Sequence, residues 1–120
     1  MKIRISSLFY STWEQIRSIL KEDGATASES ARKFLGLQES QILFTAGVAV
    51  PKELLEYFRE LDMPIIEAYG MSENTGGITV NPVQQMKVGS VGKPYPGTYV
   101  RITNPDNDGN GEVIFRCMYL

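Results

Sequence analysis

Gln41-Ile42-Leu43-Phe44-Thr45 and Pro64-Ile65-Ile66-Glu67-Ala68 are two short apolar runs, and the segment from Pro51 to Leu61 lies between them. Each run has the length of a buried strand and is bounded by a breaker, Gly47 after the first and Pro64 at the start of the second. In the intervening segment Leu54, Leu55, Phe58 and Leu61 repeat at helical spacing, while Lys52, Glu53, Glu56, Arg59 and Glu60 take the opposite side. Pro51 suits the first residue of that helix, where its missing N–H costs nothing. Asp62 and Pro64 end it. Strand, helix and strand with short connections form a βαβ unit, which favours parallel pairing and a right-handed crossover. The expected class is α/β.

Outward from this unit the composition changes near Tyr69. From Gly70 onward lie eight of the 11 glycines and four of the six prolines, but only eight charged residues. That half should hold turns and short antiparallel strands. Thr98 to Ile102 and Glu112 to Arg116 read as a hairpin around the turn-rich run Asn104-Pro105-Asp106-Asn107-Asp108-Gly109-Asn110-Gly111. The same run imitates the start of a calcium loop, but Cys117 stands where the bidentate glutamate is needed, so a hairpin is the better reading. Toward the N-terminus, Trp13, Ile16, Ile19 and Leu20 mark a helix that Thr12 and Gln15 could cap, with Gly24 ending it. A weaker helix is expected from Ser28 to Leu35, with Gly36 just beyond its end.

The 120 residues carry 42% hydrophobic and 22% charged side chains, which suits one globular domain or part of a larger one. Net charge is −2, so no electrostatic footprint for nucleic acid is present. The chain has no histidine, which excludes Ser–His and Cys–His nucleophile pairs and His-containing zinc sites. Its one cysteine, Cys117, cannot form an internal disulfide, which favours a reducing compartment. The basic start Met1-Lys2-Ile3-Arg4 is followed by neither an uninterrupted apolar run nor a small-residue cleavage site. No apolar stretch approaches the ~18 residues that span a bilayer. The expectation is a cytoplasmic protein without a transmembrane segment.

The stretch that can carry chemistry is Tyr69-Gly70-Met71-Ser72-Glu73-Asn74-Thr75-Gly76-Gly77, directly after the second run. Ligands of open α/β sheets bind outside the carboxyl ends of the strands, where this loop falls. Its glycines allow close backbone approach, Ser72 and Thr75 can donate to phosphate oxygens, Glu73 offers a hard oxygen for Mg2+, and Tyr69 offers a ring face. On composition alone the stretch reads equally as a polar connection with glycines for turn geometry.

Tyr69-Gly70-Met71-Ser72-Glu73 resembles the aromatic-Gly-x-Thr/Ser-Glu motif of adenylate-forming (AMP-binding) enzymes. Gly89-Ser90-Val91-Gly92-Lys93-Pro94-Tyr95-Pro96-Gly97 and Gly109-Asn110-Gly111-Glu112-Val113 resemble two further motifs of that superfamily, in the same order. The phrasing Ile65 to Glu73, with Asn104-Pro105-Asp106 later, is most similar to the bubblegum-type long-chain fatty acyl-CoA synthetases. The resemblance implies a partial N-terminal domain of such an enzyme. Residues 1–40 would be a helical lead-in, 41–80 the βαβ unit and nucleotide loop, and 81–120 a β-rich segment.

It also implies roles. Gly47, Val48, Glu67, Ala68, Tyr69, Gly70, Met71 and Ser72 would receive the nucleotide, with the Tyr69 ring on adenine. Ser72 would contact the α-phosphate and act in catalysis with Glu73, which would hold Mg2+. In such enzymes ATP activates a fatty acid to an acyl-adenylate, and CoA takes the acyl group. The turn Phe44-Thr45-Ala46-Gly47-Val48-Ala49 departs from the family pattern, with Ala46 where glycine is usual and Val48 bulkier than alanine. It reads equally as an ordinary strand-to-helix turn. The superfamily's phosphate loop, ribose aspartate and C-terminal lid lysine are absent, and the first thirty residues do not align. The expectation is an internal piece of a larger ligase, inactive alone, whose partners are ATP, fatty acid, CoA and the rest of the parent enzyme. Peripheral membrane attachment of that parent stays open. The alternative is a non-catalytic interaction module that keeps part of the fold.

Overall fold

The two apolar runs form β2 (Ile42–Ala46) and β3 (Ile65–Tyr69), which pair in parallel with Leu43 opposite Ile65 and Thr45 opposite Glu67. Between them α3 (Lys52–Glu60) buries Leu54, Leu55 and Phe58, as its apolar stripe requires. Pro51 sits one position earlier than expected, as the N-cap, and its carbonyl accepts the N–H groups of Leu54 and Leu55. The computed structural model describes residues 5–24 and 28–118, so the basic start Met1 to Arg4 lies outside the described residues.

The other strands and α-helices among the described residues are β1 (Ile5–Ser7), α1 (Tyr10–Glu22), α2 (Ser28–Phe34), β4 (Thr79–Val80), β5 (Lys93–Pro94), β6 (Thr98–Thr103) and β7 (Glu112–Cys117). The first five strands form one sheet in the order β1-β2-β3-β4-β5, parallel among the first three and antiparallel after. The β6–β7 pair is a separate hairpin with Val100 opposite Phe115. At its tip the Asp106 carboxylate accepts the N–H groups of Asp108 and Asn110. The Asn110 amides, backbone and side chain, hold this carboxyl below its ordinary range. The calcium-like run is thus a self-bonded turn.

One face of the large sheet is covered by α1 and α3. Trp13 and Phe58 are fully buried there and meet edge to face at 5.2 Å, with Leu20, Leu43, Leu54, Met63 and Ile65 around them. The opposite face, carrying Ile42, Phe44, Ile66, Ala68 and Val80, lines an apolar groove of about 340 Å3.

Two expectations for the N-terminal part change. Helix α1 starts at Tyr10, not after Thr12, and its N-cap Phe9 makes no side-chain cap bond. The cause is β1, a strand too short and polar to stand out in sequence. Its Ser6 is buried through an Oγ contact to Ser40, and Leu8 N–H follows onto Phe44 O. Leu8 and Tyr10 then pack on the core and start the helix early. The end of α2 follows expectation. Gly36 (φ +69) donates to Lys33 O and Leu37 to Arg32 O, a paired closure that needs a left-handed residue. Gly36→Ala meets no steric neighbour, so it should lower stability only by the left-handed strain, about 1–2 kcal/mol in urea unfolding.

Candidate functional site

Strand β3, the central strand of the sheet, carries Tyr69 at its carboxyl end, and the chain there must reverse. Gly70 makes this possible, because a Cβ on it would lie 1.9 Å from Gly76 O. Beyond it Ser72–Asn74 form one 3-10 turn, and Thr75 (φ +60) turns left-handed. The buried Asn74 locks this turn. Its Oδ1 accepts Met71 N–H at 2.9 Å, while Met71 O accepts the N–H groups of Asn74 and Gly76. Ile78 N–H then returns to Tyr69 O at 2.8 Å. The result displays Ser72 and Glu73, both exposed, on a backbone-braced tip.

Two other segments complete a cavity of about 270 Å3, lined by Gly47, Val48, Ala49, Glu67, Ala68, Tyr69, Gly70 and Val91. The turn after β2 supplies Gly47 (φ +94) and the exposed Val48. The loop between β4 and β5 brings Val91. A shallower cavity of about 430 Å3 adjoins it through Gly47 and Gly70, and is lined further by Phe9, Ala46, Met71, Ser72, Thr75 and Gly76.

Of the expected nucleotide residues, Gly47, Val48, Glu67, Ala68, Tyr69 and Gly70 thus share one cavity, and Met71 and Ser72 line the neighbouring one. Glu73 lines neither and stands on the rim of the turn. Sequence reasoning missed Val91 and Phe9. Val91 lies in the Gly89–Gly97 stretch, whose glycines at Gly89 and Gly92 both adopt positive φ and signal a tightly folded wall. Phe9, 76% exposed, carries no such signal.

Glu67 is the buried ionisable side chain of the site. Thr45, its partner in register, and Glu67 itself each keep one buried oxygen without a partner, Oγ1 and Oε2. Burial raises the Glu67 pKa, and the amides of Val50 and Gly89 pull it partly back. The folded state therefore holds this proton more tightly than the unfolded chain. Stability must fall as pH rises from the ordinary value of 4.5 through the raised one. Glu67→Gln, which cannot ionise, should match the wild type in acid and exceed it progressively toward neutral pH. Urea unfolding between about pH 4 and pH 8 checks the sign.

For a divalent cation the donor set is sparse: among the described residues no group of three or more His, Cys, Asp or Glu comes together. Glu73 alone fits the mode in which Mg2+ takes one carboxylate and otherwise substrate phosphates and water.

Residues 2–117 match the AMP-binding enzyme family. The chain belongs to that family. The match begins at residue 2, so the first thirty residues, which the motifs alone leave unaligned, fall inside it. The chain is 37% identical over 87 residues to the long-chain-fatty-acid–CoA ligase ACSBG2 of Xenopus laevis, covering 72% of this chain and 12% of that one. Against ACSBG2 of Gallus gallus it is 39% identical over 92 residues, with 77% and 12% covered. This chain thus spans about one-eighth of the curated relatives it matches. Among solved structures, the anthranilate CoA ligase AuaEII in complex with anthranoyl-AMP superposes with a TM-score of 0.65 at 20% identity, over 95% of this chain and 21% of that one. The Bacillus subtilis o-succinylbenzoate CoA synthetase with its acyl-adenylate intermediate gives 0.66 at 23% identity, over 95% and 22%. These likenesses establish the α/β fold. No described helix is long and apolar enough to cross a membrane.

Proposed function

We propose that this chain is the nucleotide-facing segment of a long-chain fatty acid–CoA ligase, part of the N-terminal domain of a longer enzyme. The observation that carries the reading is the convergence of the Gly47–Val48 turn, the Glu67–Gly70 strand end and Val91 on one cavity beside the Ser72–Glu73 tip. The Tyr69 ring and the Val48 and Val91 side chains offer apolar faces for a purine. Glu67 lines the same cavity and would be its acidic residue beside a bound purine. Ser72 Oγ, in the adjoining cavity, suits the α-phosphate of ATP. Glu73 would hold Mg2+, which when bound neutralises phosphate charge.

Ala68 lines both the nucleotide cavity and the apolar groove on the other sheet face. A fatty acid lying in that groove would bring its carboxylate to the cavity. The carboxylate is ionised at neutral pH and needs no general base, so a site without histidine is competent for this chemistry. Its oxygen attacks the α-phosphorus, and pyrophosphate leaves with the electron pair of the broken P–O bond. The CoA thiol then attacks the acyl carbon and AMP leaves. Catalysis of this kind is positioning and charge neutralisation.

Among the described residues, neither cavity is lined by lysine or arginine. Charge-assisted contacts to phosphate are worth about 1.5–3 kcal/mol each, so ATP should bind weakly here and turnover should require the rest of the enzyme. Incubation of the 120-residue chain with ATP, Mg2+, a long-chain fatty acid and CoA should therefore yield neither acyl-AMP nor acyl-CoA. Production of either refutes the expected inactivity.

A further inference from the structure

We infer that Asn81 is a positioning residue of the nucleotide cavity, acting through the turn that carries Gly89 and Val91. The assignment rests on the proposed nucleotide reading of that cavity and adds a residue outside it.

Asn81 directly follows β4 and is 2% exposed. Its backbone N–H donates to Glu67 O at 2.9 Å, tying it to the strand that carries the buried carboxylate. Its side chain crosses the base of the loop that follows. Oδ1 accepts Lys87 N–H at 3.1 Å, and Nδ2 donates to Lys87 O and Ser90 O, both at 2.8 Å. One N–H and two carbonyls fix the amide's orientation, since only an amide offers an acceptor and two donors from one short side chain.

The rest of the loop is tied down around that anchor. Thr79 Oγ1 donates to Val91 O at 2.8 Å, and Gly92 N–H donates to Ser90 Oγ at 3.1 Å. At Gly92 (φ +80) the backbone presses on the strand so closely that a Cβ would lie 2.0 Å from Val80 O. The folded-back loop places Val91 in the cavity and the Gly89 amide against the Glu67 carboxylate. Asn81 itself lines the groove on the other side of the sheet. Its influence on the cavity therefore passes through the loop.

The substitutions separate these bonds. Asn81→Ala removes all three side-chain bonds. Asn81→Asp keeps the acceptor for Lys87 N–H but turns a carboxylate toward two carbonyls. Thr79→Val removes only the bond to Val91 O at nearly constant volume. The test is an NMR titration of the whole chain with AMP, following amide and methyl signals. In the wild type, Val48, Tyr69 and Val91 should shift together. In both Asn81 variants the Gly89 and Val91 responses should be lost while Val48 and Tyr69 still respond, with AMP affinity about tenfold weaker. Thr79→Val should lose about half of the Val91 response alone, with affinity about twofold weaker.

A wild-type Val91 response in Asn81→Asp, or a uniform loss across all three residues that marks general softening, overturns the assignment. Should both Asn81 variants fail to fold, Thr79→Val decides: a selective Val91 loss supports the assignment and an unchanged response overturns it. Absence of any shift in the wild type is a different failure. It overturns the nucleotide reading itself, and the role of Asn81 with it.

Discussion

Phe58→Ala should lower stability by about 3–5 kcal/mol, the range for truncating a fully buried aromatic ring. Phe58 is 0% exposed and contacts both Trp13, at 5.2 Å between centroids, and Tyr57, at 5.3 Å. It is therefore the point where α1, α3 and the sheet meet. A domain of this size has about 5–15 kcal/mol in total, so the variant should sit near its unfolding midpoint at modest urea concentration. The loss combines the transfer of the ring with a cavity that the surrounding leucines can only partly close. Fluorescence of Trp13, the single tryptophan, reports the transition directly. A cost below about 1 kcal/mol would show that the helices do not cover the sheet in the way described.

Gly70→Ala should act on the site itself. The added Cβ would sit 1.9 Å from Gly76 O and 2.5 Å from Gly76 C, and both are backbone atoms that no rotamer change can move aside. The turn must open, carrying Ser72 and Glu73 away from the strand end. We expect at least about a tenfold loss of AMP affinity, one or two charge-assisted hydrogen bonds. The accompanying stability cost should be about 1–3 kcal/mol. Gly76→Ala is the control. At φ +111 it is strained but has nothing within 4 Å of the new Cβ, so it should cost stability with a smaller effect on binding. Equal effects of the two variants on binding would mean that the close approach at Gly70 is not what shapes the site.

The βαβ unit was legible because each of its signals was local. Leu54, Leu55 and Phe58 recur at helical spacing, and all three are buried. Ile65 and Ile66 belong to a short apolar run bounded by Pro64, and both are buried. The hairpin was legible for the same reason: Thr98 to Ile102 and Glu112 to Arg116 flank a turn-rich run, and each strand extends one residue further than that reading. What escaped was built from long-range pairing. Ile5-Ser6-Ser7 has no strand signature, and it becomes β1 only because Leu43 and its neighbours offer an open edge 37 residues away. Lys93–Pro94 becomes β5 because the preceding loop folds back onto β4. The site divides along the same line. Tyr69 to Glu73 could be found from their own motif, whereas Val91 reaches the cavity through the side chains of Asn81 and Thr79. Val48 is in the cavity although it departs from the small residue the family pattern prefers.

The most direct test is a measurement of intermolecular nuclear Overhauser contacts between AMP and the isotope-labelled chain. Adenine protons should show contacts to the Tyr69 ring and to the Val48 and Val91 methyls. Contacts confined to the β6–β7 hairpin or to the apolar groove, with none at Tyr69, would contradict a nucleotide site at the end of β3.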